Sequence, residues 1–268
     1  MEPVVIPLQP RGFGSTLRRD KWWAQPLATF VVLGAFVVYA TWAAFQGAHY
    51  EYGPYLSPFY SPLLFGEGPH SWFGPWTRPA WWPGALPFSA ALLILWAPGG
   101  FRFTCYYYRG AYYKAFWADP PSCAVGEPRS RYRGENSFPL ILQNVHRYFL
   151  YLALLFLIVL WHDVWIALWF PQPSGGTTFG IGVGTLVLAA NSALLTGYTL
   201  GCHSFRHLAG GRLDRFSQHP AQTKLYDAAC KFNCHHSRWA WASLFGVALA
   251  DLYVRLCSMG VLTDWRLI

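Results

Sequence analysis

WWAQPLATFVVLGAFVVYATWAAFQGAHY, residues 22–50, contains no Asp, Glu, Lys or Arg, and it is longer than the roughly 20 apolar residues a helix needs to cross a bilayer. Two further charge-free stretches, Pro79 to Phe101 and Phe170 to Gly201, are also long enough. Tyr148 to Trp169 is interrupted only by the pair His162 and Asp163, and Trp239 to Val261 only by Asp251 and Arg255. Composition agrees with this reading. A 268-residue chain that is 54% hydrophobic and 12% charged lacks the polar surface of a soluble globule, while 15 Trp and 16 Tyr suit the interfacial belts of a membrane. The chain reads as all-α: an integral membrane bundle of five helices near 24–46, 84–106, 140–169, 177–201 and 237–260. These spans fill residues 1–268 as a single domain.

Basic residues set the expected orientation. Of 20 Lys and Arg, four precede the first span, seven lie between Arg102 and Arg147, and six lie between Arg206 and Arg238. Lys and Arg concentrate in cytoplasmic segments, so the N-terminus and the loops 107–139 and 202–236 are expected on that side. The net charge of +8 is thus a topology signal rather than a nucleic-acid one, and no nucleic-acid partner is expected. The first 25 residues lack the apolar core and small-residue site of a cleavable signal peptide. In the loop after the second span, Tyr106, Tyr107, Tyr108, Tyr112, Tyr113 and Trp117 alternate with Arg109 and Lys114. They read as a helix continuing through the lipid headgroups, or as a docking surface for a soluble partner.

Six of nine histidines and five of six cysteines fall on this basic side. Thiols facing a reducing compartment are more plausible as metal ligands than as disulfides. His203 and His207, four apart, share a helix face and can reach one metal. Cys230 and Cys234 repeat the spacing, and His235 and His236 follow directly. Two His and two Cys form the ligand set of a Rieske-type [2Fe–2S] centre, in which the histidines raise the potential. Haem b is the alternative, but the first two spans contain no histidine and the rest hold theirs near the ends. His162 beside Asp163 reads as a candidate outer site inside a span, or equally as an interfacial pair in water. Asp251 and Arg255, one turn apart, read as a structural pair. His49, His70 and His219 are assigned no role. A metal transporter would carry ligands along a mid-membrane path, and the spans are almost free of them.

The segments TCYYYRGAYYKAFW, CAVGEP, FPLILQNVHRYFLYLA, GCHSFRH and ALADLYVRL resemble the membrane-anchor subunit of actinobacterial succinate dehydrogenases, of the haem-less five-helix type. The resemblance covers most of residues 100–257. It implies a multi-pass protein of the cell's inner (plasma) membrane that anchors a flavoprotein with FAD and an iron–sulfur subunit with further clusters. Electrons from succinate oxidation would pass to menaquinone or ubiquinone. The haem b-containing subunit of a fumarate reductase is the related alternative, and assembly into a higher oligomer stays open. A membrane-region Rieske-type cluster is implied in place of haem. Cys202, His203, His207 and His236 match the family pattern, and Cys202 with Cys105 or Cys123 comes forward as thiolate donor ahead of Cys230 and Cys234. For a quinone pocket of apolar residues with a few donors, the candidates are Tyr106, His146, Arg147, Ser204, Arg206 and Trp239; His146, which opens its helix, can equally serve as a metal ligand or a cap.

Overall fold

The computed structural model describes residues 12–75, 78, 80–85, 88–129, 137, 138, 140–211 and 214–268. Arg11, Arg131, Arg133 and Arg212, part of the basic side expected from the sequence, lie outside the described residues. Among the described residues the chain is mainly helical, and four helices are long and apolar enough to cross a membrane. These are α1 (Ala24–Gln46), α5 (His146–Ile166, led in by a 3-10 turn Leu140–Val145), α6 (Val183–Leu200) and α9 (His236–Ser258). Each matches an expected span, and α1 has the expected bounds.

The second expected span, 84–106, is not one long helix. It is helical only over α2 (Ala91–Ile94) and α3 (Trp96–Thr104), with a break at Leu95. Pro98 has no N–H to offer the carbonyl of Ile94, so the helix is interrupted and restarts with proline in its first turn, where no donor is needed. Residues 91–104 extend about 21 Å as helix, short of the roughly 30 Å hydrocarbon layer. At Cys105 the backbone turns to an extended conformation, and α4 (Tyr106–Tyr112) follows, ending in a π-helical turn, Tyr113–Trp117. The expected loop 107–139 therefore begins as helix.

The fourth span starts later than 177. Thr177–Phe179 pairs as a strand, β4, with β3 (Trp169–Pro171), and Trp169 faces Phe179 across the pair. Gly175 and Gly176, at φ of 86° and 84°, make the tight return between them. A second two-stranded pair, β1 (Glu51–Tyr52) with β2 (Tyr55–Leu56), lies in the loop after α1. The expected loop 202–236 is a helical hairpin of α7 (His203–Gly210) and α8 (Pro220–Cys234). Gln222 Nε2 donates to the carbonyl of Ala209 at 2.8 Å, and Asn233 Nδ2 to that of Gly201 at 2.8 Å, so α8 holds both ends of α7.

Inside the bundle, α6 packs along α9, and α5 packs on α3 and α6. One apolar cluster joins Leu33, Phe101, Cys105, Tyr108, Leu150, Tyr198, Cys202, Ala240 and Leu244 at the basic end. At the opposite end, Asp251 and Arg255 form the expected structural pair, both essentially inaccessible, with Arg255 Nε 3.3 Å from Asp251 Oδ2. Tyr39 donates to the same carboxylate at 2.6 Å, Ser57 donates to its other oxygen, and Arg255 Nη1 reaches the carbonyl of Ala48 at 3.0 Å. A buried charge persists where paired and fully hydrogen-bonded, and this one is.

Candidate functional site: a buried set of two cysteines and two histidines

Four helix ends meet at the basic end of the bundle, and each brings one soft or ionisable side chain. Cys105 follows the last turn of α3, Cys202 follows α6, His146 opens α5 and His236 opens α9. His146 Nε2 lies 3.0 Å from Cys202 Sγ, and His236 Nε2 lies 3.5 Å from Cys105 Sγ. Cys105 and Cys202 are 2% exposed and His146 6%, while His236 is half-buried. Burial first, then the neighbouring Cys105, pushes the Cys202 thiol up to about 11. A thiol so placed ionises when a cation binds it.

The surroundings orient both imidazoles. Thr104 Oγ1 donates its hydrogen to the carbonyl of Gly100 at 2.7 Å, so toward His146 Nδ1, 2.9 Å away, it can only accept. Nδ1 then carries the proton, and the Nε2 lone pair faces Cys202, the tautomer a metal-ligating histidine needs. Phe101 stacks on His146 (centroids 4.7 Å, planes 10° apart) and Tyr198 on His236 (5.1 Å, 12°). His236 Nδ1 is buried without a hydrogen-bond partner. Arg102 sits 4.6 Å over the Tyr198 ring and donates to Tyr108 Oη at 2.8 Å and Ser243 Oγ at 2.9 Å.

Among the described residues, no three His, Cys, Asp or Glu side chains converge to hold a single metal ion. The donor inventory, two thiols and two imidazoles with one imidazole nitrogen left unpaired in the interior, fits instead the Rieske-type set. Of the ligands expected from the sequence, Cys105, Cys202 and His236 come together here, joined by His146, which the sequence left open between quinone donor, metal ligand and cap. His203 and His207 do not join them. They are exposed on α7 and pair with each other, Nε2 to Nε2 at 3.0 Å. Partial burial first, then His207 and Arg206, lowers the pKa of His203. Cys230 is half-buried and Cys234 and Cys123 are exposed, so none of these belongs to the buried set.

Beside this set lies a cavity of about 520 Å³, lined mainly by apolar side chains of α1, α3, α5 and α6, with Thr41, Arg102, Tyr198 and Thr199 as its polar members. None of Tyr106, His146, Arg147, Ser204, Arg206 or Trp239 lines it. Tyr106 is 62% exposed, its ring under the Arg109 guanidinium at 4.5 Å. Arg147 is exposed, Ser204 and Arg206 are half-buried in α7, and Trp239 packs against Phe232. At the opposite end Asp163 is buried and accepts from Ser61, while His162 is exposed, 3.9 Å from it. Arg102, Thr104 and Tyr198 were not singled out from sequence. Arg102 does carry a signal, as the first charge after the stretch 79–101.

A sequence profile described as actinobacterial succinate dehydrogenase subunit SdhC matches residues 24–260. A solved structure described as the Mycobacterium smegmatis Sdh1 complex in the apo form contains a chain 44% identical to this one, superposing with a TM-score of 0.84 over 94% of each chain. No curated protein matches. With the profile spanning nearly the whole chain, and a solved relative at this identity and coverage, the protein belongs to the SdhC family of actinobacterial succinate dehydrogenase membrane subunits.

Proposed function

We propose that this chain anchors a flavoprotein and an iron–sulfur subunit at the cytoplasmic face of the cell's inner membrane, and delivers electrons from succinate oxidation to menaquinone or ubiquinone. The observation that carries the reading is the gathering of two thiols and two imidazoles, Cys105, Cys202, His146 and His236, at four helix ends. These four residues would hold a Rieske-type [2Fe–2S] centre. When bound, such a centre supplies a one-electron carrier whose imidazole ligands raise its potential above that of an all-cysteine cluster. Thr104 fixes the His146 tautomer, Phe101 and Tyr198 fix the ring planes, and burial keeps water from both thiols. The broken segment α2–α3 counts as a fifth crossing in this reading, which sets the N-terminus and the Cys/His set on the cytoplasmic side, where 17 of 20 Lys and Arg occur.

The cavity between α1, α3 and α5 suits a quinone. It is apolar along its length and, through Arg102 and Tyr198, adjoins the Cys/His set. The Arg102 guanidinium stabilises negative charge developing on a quinone oxygen as two electrons arrive, before two protons complete the quinol. The basic end, with α4 and the α7–α8 hairpin, presents the surface for the soluble subunits. Low-temperature EPR of the reduced, purified complex tests the proposal. A rhombic [2Fe–2S] signal lost in H146A and H236A supports it. Stoichiometric haem bands, with those histidines as haem ligands, overturn it.

A further inference from the structure

His203 and His207 form a second arrangement of imidazoles, outside the buried Cys/His set. Both rings are exposed, four residues apart on α7, with Nε2 atoms 3.0 Å apart and planes at 74°. α7 is braced at both ends by α8, through Gln222 on Ala209 and Asn233 on Gly201, so the rings project from a fixed frame. Two bonds of about 2.05 Å from a metal to nitrogens 3.0 Å apart close an angle of about 94° at the ion. That is near the right angle between neighbouring ligands in octahedral or square-planar complexes. With both nitrogens within reach of one ion, the order of intrinsic affinities, rising through Ni²⁺ to Cu²⁺, sets which ions the pair takes.

We infer that His203 and His207 are a bidentate site for a divalent transition-metal ion of Ni²⁺ or Cu²⁺ type, separate from the buried Cys/His set. Both rings are exposed on this chain, so the remaining coordination positions fall to water or to groups of the subunit docked over α7. The site does not depend on the cluster reading, since it shares no ligand with Cys105, Cys202, His146 or His236.

The test uses Ni²⁺ alone, added to the complex purified without a polyhistidine tag and followed by equilibrium dialysis and elemental analysis. Copper is avoided because it oxidises thiols. The wild type is expected to hold one more equivalent of nickel per chain than H207A, H207Q or H203A. Losing one arm of the chelate weakens binding by about 100-fold. H219A, which removes an exposed histidine outside the pair, should match the wild type. X-ray absorption at the nickel edge should show two imidazoles. Equal nickel in wild type and H207A, or an equal loss in H219A, overturns the inference. So does iron leaving in proportion to nickel uptake, which would place the ion at the buried set instead.

Discussion

Replacing Thr104 by Val keeps the side-chain shape and removes one oxygen, and the consequence can be followed atom by atom. In the native arrangement His146 Nδ1–H donates to Thr104 Oγ1 at 2.9 Å and the Nε2 lone pair faces Cys202. In T104V the ring must either bury Nδ1–H unpaired or carry its proton on Nε2, where it occupies the lone pair a metal needs. A buried donor left unpaired costs about 1–3 kcal/mol, and hydrogen bonds between membrane helices average lower, about 0.6 kcal/mol. For the proposed centre, a net cost of about 1–2 kcal/mol corresponds to about 5–30-fold weaker metal retention, overlapping the range of about 10–100-fold for partners of metal-bound histidines. The assay is iron retained by the purified complex against increasing chelator, with quinone reduction and succinate oxidation by a soluble acceptor measured in parallel. T104V should lose iron and quinone reduction at lower chelator and keep the soluble half-reaction, whereas T104S, which restores the hydroxyl, should behave as wild type. Iron retention in T104V within about twofold of wild type would show that Thr104 does not set the tautomer.

Asp251→Ala should destabilise the detergent-solubilised chain by about 3–5 kcal/mol, because it strands the Arg255 guanidinium in a site with 2% exposure. D251A/R255M should recover much of the loss, and thermal unfolding of the two variants checks the cycle. Glu51 is partly buried with Oε2 unpaired, and burial raises its pKa. The folded chain therefore holds this proton to higher pH than the unfolded one. Stability falls as pH rises through the unfolded value near 4.5, and the penalty is complete above the folded value. E51Q should raise the unfolding midpoint at pH 7 and leave it unchanged at pH 4, and an unchanged midpoint at pH 7 would contradict the burial. Gly197→Ala would set a Cβ 2.6 Å from the Trp239 ring where α6 meets α9. The expected overpacking costs about 1–3 kcal/mol, and G34A, with nothing within 4 Å, is the control that should leave the unfolding midpoint unchanged or raised.

The fold was legible where a single property decides it. Apolar length placed α1 at 24–46, where the stretch is free of charge, and α9 within two residues of its bounds despite Asp251 and Arg255. It misled where composition and continuity part company. Residues 79–101 are free of charge, but charge measures whether a segment tolerates lipid, not whether its backbone can run unbroken, and Pro98 decides the latter. At 177–179 two β-branched threonines beside a Gly-Gly return outweigh apolar composition, so the chain closes a hairpin before the helix starts.

The site was half legible for a related reason. Sequence spacing finds partners that share one helix, which is why His203 with His207 and Cys230 with Cys234 stood out. The buried set takes one residue from each of four helix ends, so no interval in the sequence links its members. Each of the four does carry a shared mark. Cys105, His146, Cys202 and His236 all stand within two residues of a helix end on the basic side. Helices packed side by side bring ends on one side into a common layer, so residues at matching ends are neighbours whatever their separation in sequence. In a membrane bundle, depth is therefore the coordinate along which ligands should be grouped, and spacing serves only to sort those that share a helix.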